Sequence, residues 1–313
     1  MRNLILLLAL SLFAASTCNA SLLDGLISHY NLPEDGNNTR LDVHGSNDLG
    51  TFSGAGVSNS SGGVQGYCQN FAAGDYLETA SSTPFVFGDT SFTIAAWVNA
   101  DIMGGSSQRM IIDKANSNTG REFRIDWVPS PNRFRFMTFD LNDTVVITET
   151  TQTLSAGVWY LIIAEHDAVN NTTSIRVNNG TLNSTELIGG LQSTFTNSKF
   201  TIGSKSGMTG GLNYVKWDGK VDHVSVWSRV LTEADHTLLY NAGTGLAYTT
   251  YGSAGSGGEP PPPPSGSIDL GDLHLEYDDA VELDVDTLNG AIESLSEAEA
   301  VLLRDFITDW INL

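Results

Sequence analysis

The stretch Asp218-Gly219-Lys220-Val221-Asp222-His223-Val224-Ser225-Val226-Trp227-Ser228-Arg229-Val230-Leu231-Thr232-Glu233-Ala234-Asp235-His236-Thr237-Leu238-Leu239-Tyr240-Asn241-Ala242-Gly243-Thr244-Gly245 decides the fold. Val221, His223, Ser225 and Trp227 alternate with Asp222, Val224 and Val226. That period of two is a strand with two unlike faces. A polar turn follows. Thr232, with Asp235 three residues on, forms a helix-capping pattern, because the hydroxyl accepts a free amide of the first turn. Leu238, Leu239 and Tyr240 supply an apolar stripe, and Gly243 predicts a left-handed stop. Strand, turn and short capped helix read as one closing unit.

Working outward, strand signals recur at short intervals. Ser91 to Val98 predicts a buried strand. Phe123–Val128 and Arg133–Phe139 predict a hairpin around Pro129-Ser130-Pro131-Asn132, with Phe123, Ile125 and Trp127 on one face and Arg124 and Asp126 on the other. Thr144–Thr151, Val158–His166, Thr173–Asn178 and Lys199–Ile202 complete the set. Many short strands between Gly, Asn, Asp and Ser turns predict a sandwich or jelly roll.

The closing unit resembles the last strand and helix of laminin-G-like (concanavalin A-like) jelly rolls. The resemblance extends to Leu26–Leu32 with Asp42–Leu49, to the tryptophan strand Phe92–Val98, and to Val158-Trp159-Tyr160 through the hairpin ending in Asn179-Gly180. It implies an all-β, antiparallel jelly-roll sandwich. It does not select a function, because this scaffold carries lectins, adhesion modules, enzyme-appended modules and hydrolases.

The two ends read differently. Met1-Arg2-Asn3, the apolar run Leu4–Ala15 and Ser16-Thr17-Cys18-Asn19-Ala20 predict a secretory leader over residues 1–20. The expected destination is extracellular or periplasmic, with no transmembrane anchor. Of two cysteines, Cys18 leaves with that leader, and Cys68 is expected to pack as a small apolar residue. The sandwich is expected over 21–251, and a Gly/Ser/Pro spacer over 252–266. An acidic, mainly helical module is expected over 267–313. There Leu270–Tyr277 alternates like a strand, and Ser296-Glu297-Ala298-Glu299 opens a helix striped by Ala300, Leu303, Ile307, Trp310 and Ile311. Leu288, Ala291, Ile292 and Leu295 form a second stripe. Two short helices cannot bury both stripes alone. Self-association or a protein partner through 267–313 is the expectation.

A formal net charge of −21 sets 36 acidic against 15 basic residues and argues against nucleic acid as a partner. Asn-x-Ser/Thr sites at Asn37, Asn59, Asn142, Asn170, Asn171, Asn179 and Asn183 are glycan acceptors in a eukaryotic secretory pathway and plain β-turn sequences elsewhere. No Glu-x-Asp-x-x-Glu run, zinc spacing or phosphate-cradling glycine loop occurs. Glu165 and Asp167 are the nearest approach to a carboxylate pair, and a solvated strand end is the expected reading. Glu122, Arg124, Asp126, Arg133 and Arg135 suit an exposed cross-strand salt network.

The resemblance implies calcium between an early loop and the closing strand, which here offers Asp42, Asn47 and Asp222 as ligands. For sugar binding, aromatic faces beside polar groups are needed. Tyr214 and Trp217 in the glycine-rich loop, with Arg124, Asp126 and Arg135, are the candidates. The expected function is secreted, non-catalytic, calcium-assisted recognition of extracellular or cell-surface glycans. The alternative is a structural or adhesive surface or virion component that makes protein contacts. A glycoside hydrolase ranks third.

Overall fold

The computed structural model describes residues 21–253, apart from 37, 53–56, 72–74, 82, 117–119, 141–143, 188, 192–197 and 205–215, together with the backbone of 266–270 and 273–277. The strands in chain order are β1 (Leu26–Tyr30), β2 (Leu49–Phe52), β3 (Ser58–Gly63), β4 (Gly66–Phe71), β5 (Tyr76–Thr79), β6 (Phe92–Ala100), β7 (Arg109–Asn116), β8 (Gly120–Val128) and β9 (Arg133–Phe139). Then come β10 (Val145–Glu149), β11 (Trp159–Asp167), β12 (Thr172–Val177), β13 (Asn183–Glu186), β14 (Thr201–Ile202) and β15 (Gly219–Trp227), followed by helix α1 (Glu233–Tyr240).

Two antiparallel sheets form a sandwich. One runs β13-β12-β11-β6-β15-β4-β3, with β1 also on β15, and the other runs β10-β9-β8-β7-β14-β5-β2. Ile94, Ala96, Val98, Ile162, Val221, Val224 and Val226 of the first sheet meet Ile112, Phe123, Ile125, Trp127, Phe134 and Phe136 of the second in one buried core. A second cluster lies on the outer face of the eight-stranded sheet. There Ala95, Trp97, Leu161, Ile163 and Trp227 are covered by Leu22, Leu239 of α1 and Tyr251. Strand β6 is buried at all nine positions because it has a strand on each side and a cluster on each face. Its unbroken apolar run follows from that placement.

The closing ribbon has one irregularity that alternation alone does not contain. Its pairing with β6 shifts register between Asp222 and Ser225, and His223 adopts φ 44°. A bulge inserts one extra residue and resets the faces. Val221 therefore joins Val224 and Val226 in the core, where simple alternation sets it opposite to them. The partner changes at the same point: Gly219–Val221 pair with β4, and Val224–Trp227 pair with β1.

Thr232 caps α1 as its sequence predicts, accepting the Asp235 amide at 3.1 Å while Asp235 accepts the Thr232 amide at 2.9 Å. The stop comes earlier than Gly243. Asn241 (φ 44°) and Ala242 (φ 52°) already take the left-handed conformation. Asn241 holds it through a side-chain bond to the Gly245 carbonyl at 2.7 Å. Asn tolerates this region better than other non-glycine residues.

The chain divides into two compact units, Met1–Ser256 and Gly257–Leu313. In the second, β16 (Gly266–Leu270) and β17 (Leu273–Tyr277) pair as an antiparallel hairpin in register from Gly266↔Tyr277 to Leu270↔Leu273. The strand expected from Leu270 begins three residues later. The helical stripes expected over 288–311 lie outside the described residues. Among the described residues, no helix is long and apolar enough to cross a membrane. Cys68 is buried, its thiol pushed up to about 11 by burial and then by Asp222, as suits an inert packing residue.

Candidate functional site

The outer face of the seven-stranded sheet carries a row of charges. Strand alternation puts Ile112, Ile125 and Phe136 into the core, so their neighbours Asp113, Arg124, Asp126 and Arg135 turn outward. Register sets Asp113 opposite Arg124 and Asp126 opposite Arg135. Arg124 Nε donates to Asp113 at 2.8 Å. Arg135 grips Asp126 with two bonds, 2.8 and 2.7 Å, and donates a third to Gln108 at 2.9 Å. Burial works against the Arg135 charge, but Asp126 and then Glu149 outweigh it, so the guanidinium is held more firmly protonated. Further along, Lys199 donates to Glu78 at 2.6 Å. Tyr76, two residues before Glu78 and so on the same outer face, is partly exposed.

The salt network is thus cross-strand as expected, but it is not exposed. Asp113 and Asp126 side chains are fully buried, and Arg124 and Arg135 are 9% and 14% exposed. Glu122 pairs instead with Lys114 at 2.7 Å, and Arg133 donates to the Thr150 carbonyl. Buried pairs of this kind fix geometry, because each charge is desolvated and needs its partner. Asp113 was not a sequence candidate. It follows an apolar run, Met110-Ile111-Ile112, in which no alternation marks the outward position.

The aromatic candidates separate. Trp217 is fully buried in the central core, its indole donating to the Lys220 carbonyl at 3.3 Å. It is a packing residue and not an open stacking platform, since a ring with no exposed face cannot meet a sugar. Tyr214 lies outside the described residues. The end of that loop does reach the polar face: Lys216 bridges Met110, whose β8 partner is Asp126, and Arg109 pairs with Asp218 at 3.2 Å.

Asp42, Asn47 and Asp222 do not converge. Asp42 accepts four backbone amides, those of His29, His44, Gly45 and Asn47, at 2.9–3.2 Å. Burial raises its pKa, and these amides more than offset that, leaving it below the usual carboxylate range. Asn47 donates to Ser28 at 2.8 Å. Asp222 faces the β3–β4 turn, accepting from Val64 at 2.8 Å and from its own neighbour His223 at 2.9 Å. Burial pushes it up to about 7. Calcium needs oxygen lone pairs turned toward one point. Here the lone pairs of Asp42 meet amide hydrogens, and Asp222 belongs to another loop, so this trio does not fit the ion. Among the described residues, no group of three or more His, Cys, Asp or Glu side chains converges on a metal position.

Glu165 and Asp167 are also engaged. Glu165 is 2% exposed and one oxygen accepts from Thr93 (3.1 Å), the Leu231 amide (3.1 Å) and His236 Nε2 (3.0 Å). Asp167 caps its own turn through Val169 and Asn170. The solvated strand end expected for Glu165 is instead the socket that seats α1. Arg176 adds a bond to Glu233 of the same helix.

A sequence model of the concanavalin A-like lectin/glucanases superfamily matches residues 71–235, more than half of this chain. The chain belongs to this superfamily. No curated protein matches it by sequence. Among solved structures, this concanavalin A-like sandwich is similar to the binding domain of botulinum neurotoxin serotype D/C, with TM-score 0.56 and 13% identity, covering 73% of this chain and 54% of that one. It is similar to the binding domain of Paraclostridial Mosquitocidal Protein 1, with TM-score 0.54 and 16% identity, covering 71% and 53%. It is also similar to domain 4 of an extracellular arabinanase from Geobacillus stearothermophilus in complex with arabinotriose, with TM-score 0.52 and 14% identity, covering 68% and 96%. The chain spans about half the length of the toxin binding domains and nearly all of the arabinanase domain. These likenesses establish the shared fold.

Proposed function

We propose that this chain is a non-catalytic glycan-binding module whose sugar site is the outer face of the seven-stranded sheet. The observation that carries this is the pair of buried, cross-strand ion pairs, Asp113–Arg124 and Asp126–Arg135, set in one face with Gln108 and the partly exposed ring of Tyr76. Fixed polar groups beside an aromatic ring are what oriented sugar binding needs. The arabinotriose complex of the arabinanase domain supports the sugar part of the reading. The engagement of Glu165 and Asp167 supports the non-catalytic part.

A glycan array is the test, run with and without a calcium chelator. Binding is expected and is expected to be equal in both, given the poor fit of Asp42, Asn47 and Asp222 to calcium. Tyr76→Ala is expected to weaken it about tenfold, the worth of one stacked ring. An empty array, with the protein instead recovered in a large assembly, rejects the reading in favour of a structural or adhesive role.

The setting is extracellular, in keeping with the apolar leader Leu4–Ala15. The mass of the exported protein is expected to correspond to a start at Ser21. A mass that retains residues 1–20 refutes this.

A further inference from the structure

We infer that a second sugar site lies on the opposite sheet, along a row formed by Asn70, Lys220, Asn99 and Trp159. The ligand class rests on the glycan reading above, but the residues are separate from it. Register places the four on one line across β4, β15, β6 and β11: Asn70 opposite Lys220, Lys220 opposite Asn99, and Asn99 opposite Trp159. Their chain neighbours Phe71, Val221, Val98, Ala100 and Tyr160 pack into or against the central core. Alternation therefore turns all four to the outer face. Three strand spacings separate the ends, about 14 Å, which accommodates a short oligosaccharide.

The row contains groups that ask for a ligand of one kind. Asn99 is 6% exposed, and its side-chain oxygen is buried without a hydrogen-bond partner. The side-chain oxygen of Asn70 is in the same condition. Leaving a buried acceptor unmade is costly, and native proteins seldom do so without a reason. Both oxygens accept, so their partner must donate. A phosphate or carboxylate brings only acceptors and does not answer them, whereas sugar hydroxyls donate. Trp159, at the end of the row, is partly exposed. Its indole N–H is tied to the Gly62 carbonyl at 3.2 Å, which fixes the ring for stacking against a sugar's apolar face. Lys220, bonded to Asp101 at 3.2 Å with 27% and 44% exposure, adds a donor and an acceptor. A neutral, hydroxyl-rich ring matches this set.

The test is calorimetric titration of the full chain with arabinotriose, maltotriose and cellotriose as probes, followed by tryptophan fluorescence. At least one probe is expected to bind and shift the emission. Trp159→Ala and Asn70→Ala are each expected to weaken that binding about tenfold. Asn70→Ala carries the test if Trp159→Ala fails to fold. Binding that falls with Tyr76→Ala but survives both row variants overturns this site and leaves the seven-stranded face standing. Failure of all three probes to bind, with a crystal soak showing only water against Asn70 and Asn99, also overturns it, and the array then judges the first reading alone.

Discussion

Glu165→Ala is expected to lower the unfolding free energy by about 3–5 kcal/mol, the range for removing one partner of a buried hydrogen-bonded pair. The reason is the number of donors left behind. Glu165 sits on β11, buried, and one carboxylate oxygen takes Thr93, the Leu231 amide and His236. Those donors belong to β6, to the turn after β15 and to α1. Alanine strands the Leu231 amide and His236 Nε2 in a place that water does not reach, while the Thr93 hydroxyl keeps the Arg229 carbonyl at 2.7 Å. Glu165→Gln keeps an acceptor and the shape, so its loss is expected to be smaller, about 1–2 kcal/mol. Urea unfolding of the two variants checks both values. The result also bears on chemistry. If Glu165→Gln melted like the parent yet abolished release of reducing sugar from a polysaccharide, the residue would be catalytic and the socket reading wrong.

The second large effect is on pH. His29 is buried, with one ring nitrogen paired to Ser225 at 2.6 Å and the other to Asn31 at 2.8 Å. Tyr248 stacks on it at 4.8 Å, Tyr251 meets its edge at 5.1 Å, and His223 lies at 5.2 Å. Burial, then the neighbouring His223, depresses His29 to about 3, although Asn31 and Asp42 pull the other way. Burial alone depresses His223 to about 4. Each is depressed below its unfolded value of 6.5, so the stability it contributes is present above pH 6.5 and lost as pH falls toward the folded values. Asp222 has the opposite sign. Burial raises it from 3.8 to about 7, so its contribution is full below 3.8 and lost as pH rises through 7. Between pH 4 and 6.5, these two histidines outweigh that carboxyl by about one proton, and His166, also lowered by burial, adds in the same direction. Stability is therefore expected to rise with pH across that window, by at least about 1.4 kcal/mol per unit. Denaturant titrations at pH 4.5, 5.5 and 6.5 measure the slope. A flat or falling profile would contradict the neutral, buried state of these histidines. In His29→Gln the slope is expected to fall by about 1.4 kcal/mol per unit, the share of one histidine proton.

These two effects fall on residues whose roles are not written locally. The strand spacing, the tryptophan ribbon and the Thr232 cap are short-range features. Period-two alternation and a Thr-x-x-Asp pattern act within a few residues, so a linear sequence displays them. Strands β2, β3, β4, β5, β7 and β13 escaped the same reading. Ser58–Gly63 and Asn183–Glu186 are polar edge strands with no apolar face to alternate. The bulge at Asp222–His223 also escaped, since an inserted residue is visible only against its partner strands.

By itself, the sequence determined that this chain forms an antiparallel sandwich closed by the ribbon before α1, with a proline-rich break after it. Those properties depend on the order of apolar and polar residues along short segments. Only the tertiary structure decided which polar residues are engaged and which are left open. Glu165 meets His236 across 71 positions of chain, and Asp113, Arg124, Asp126 and Arg135 are paired by register. Trp217 goes inside, while Trp159 stays partly exposed in the row that holds two unanswered amide oxygens. Burial and hydrogen bonding are set by whatever the fold brings within about 3 Å, and separation along the chain carries no record of that.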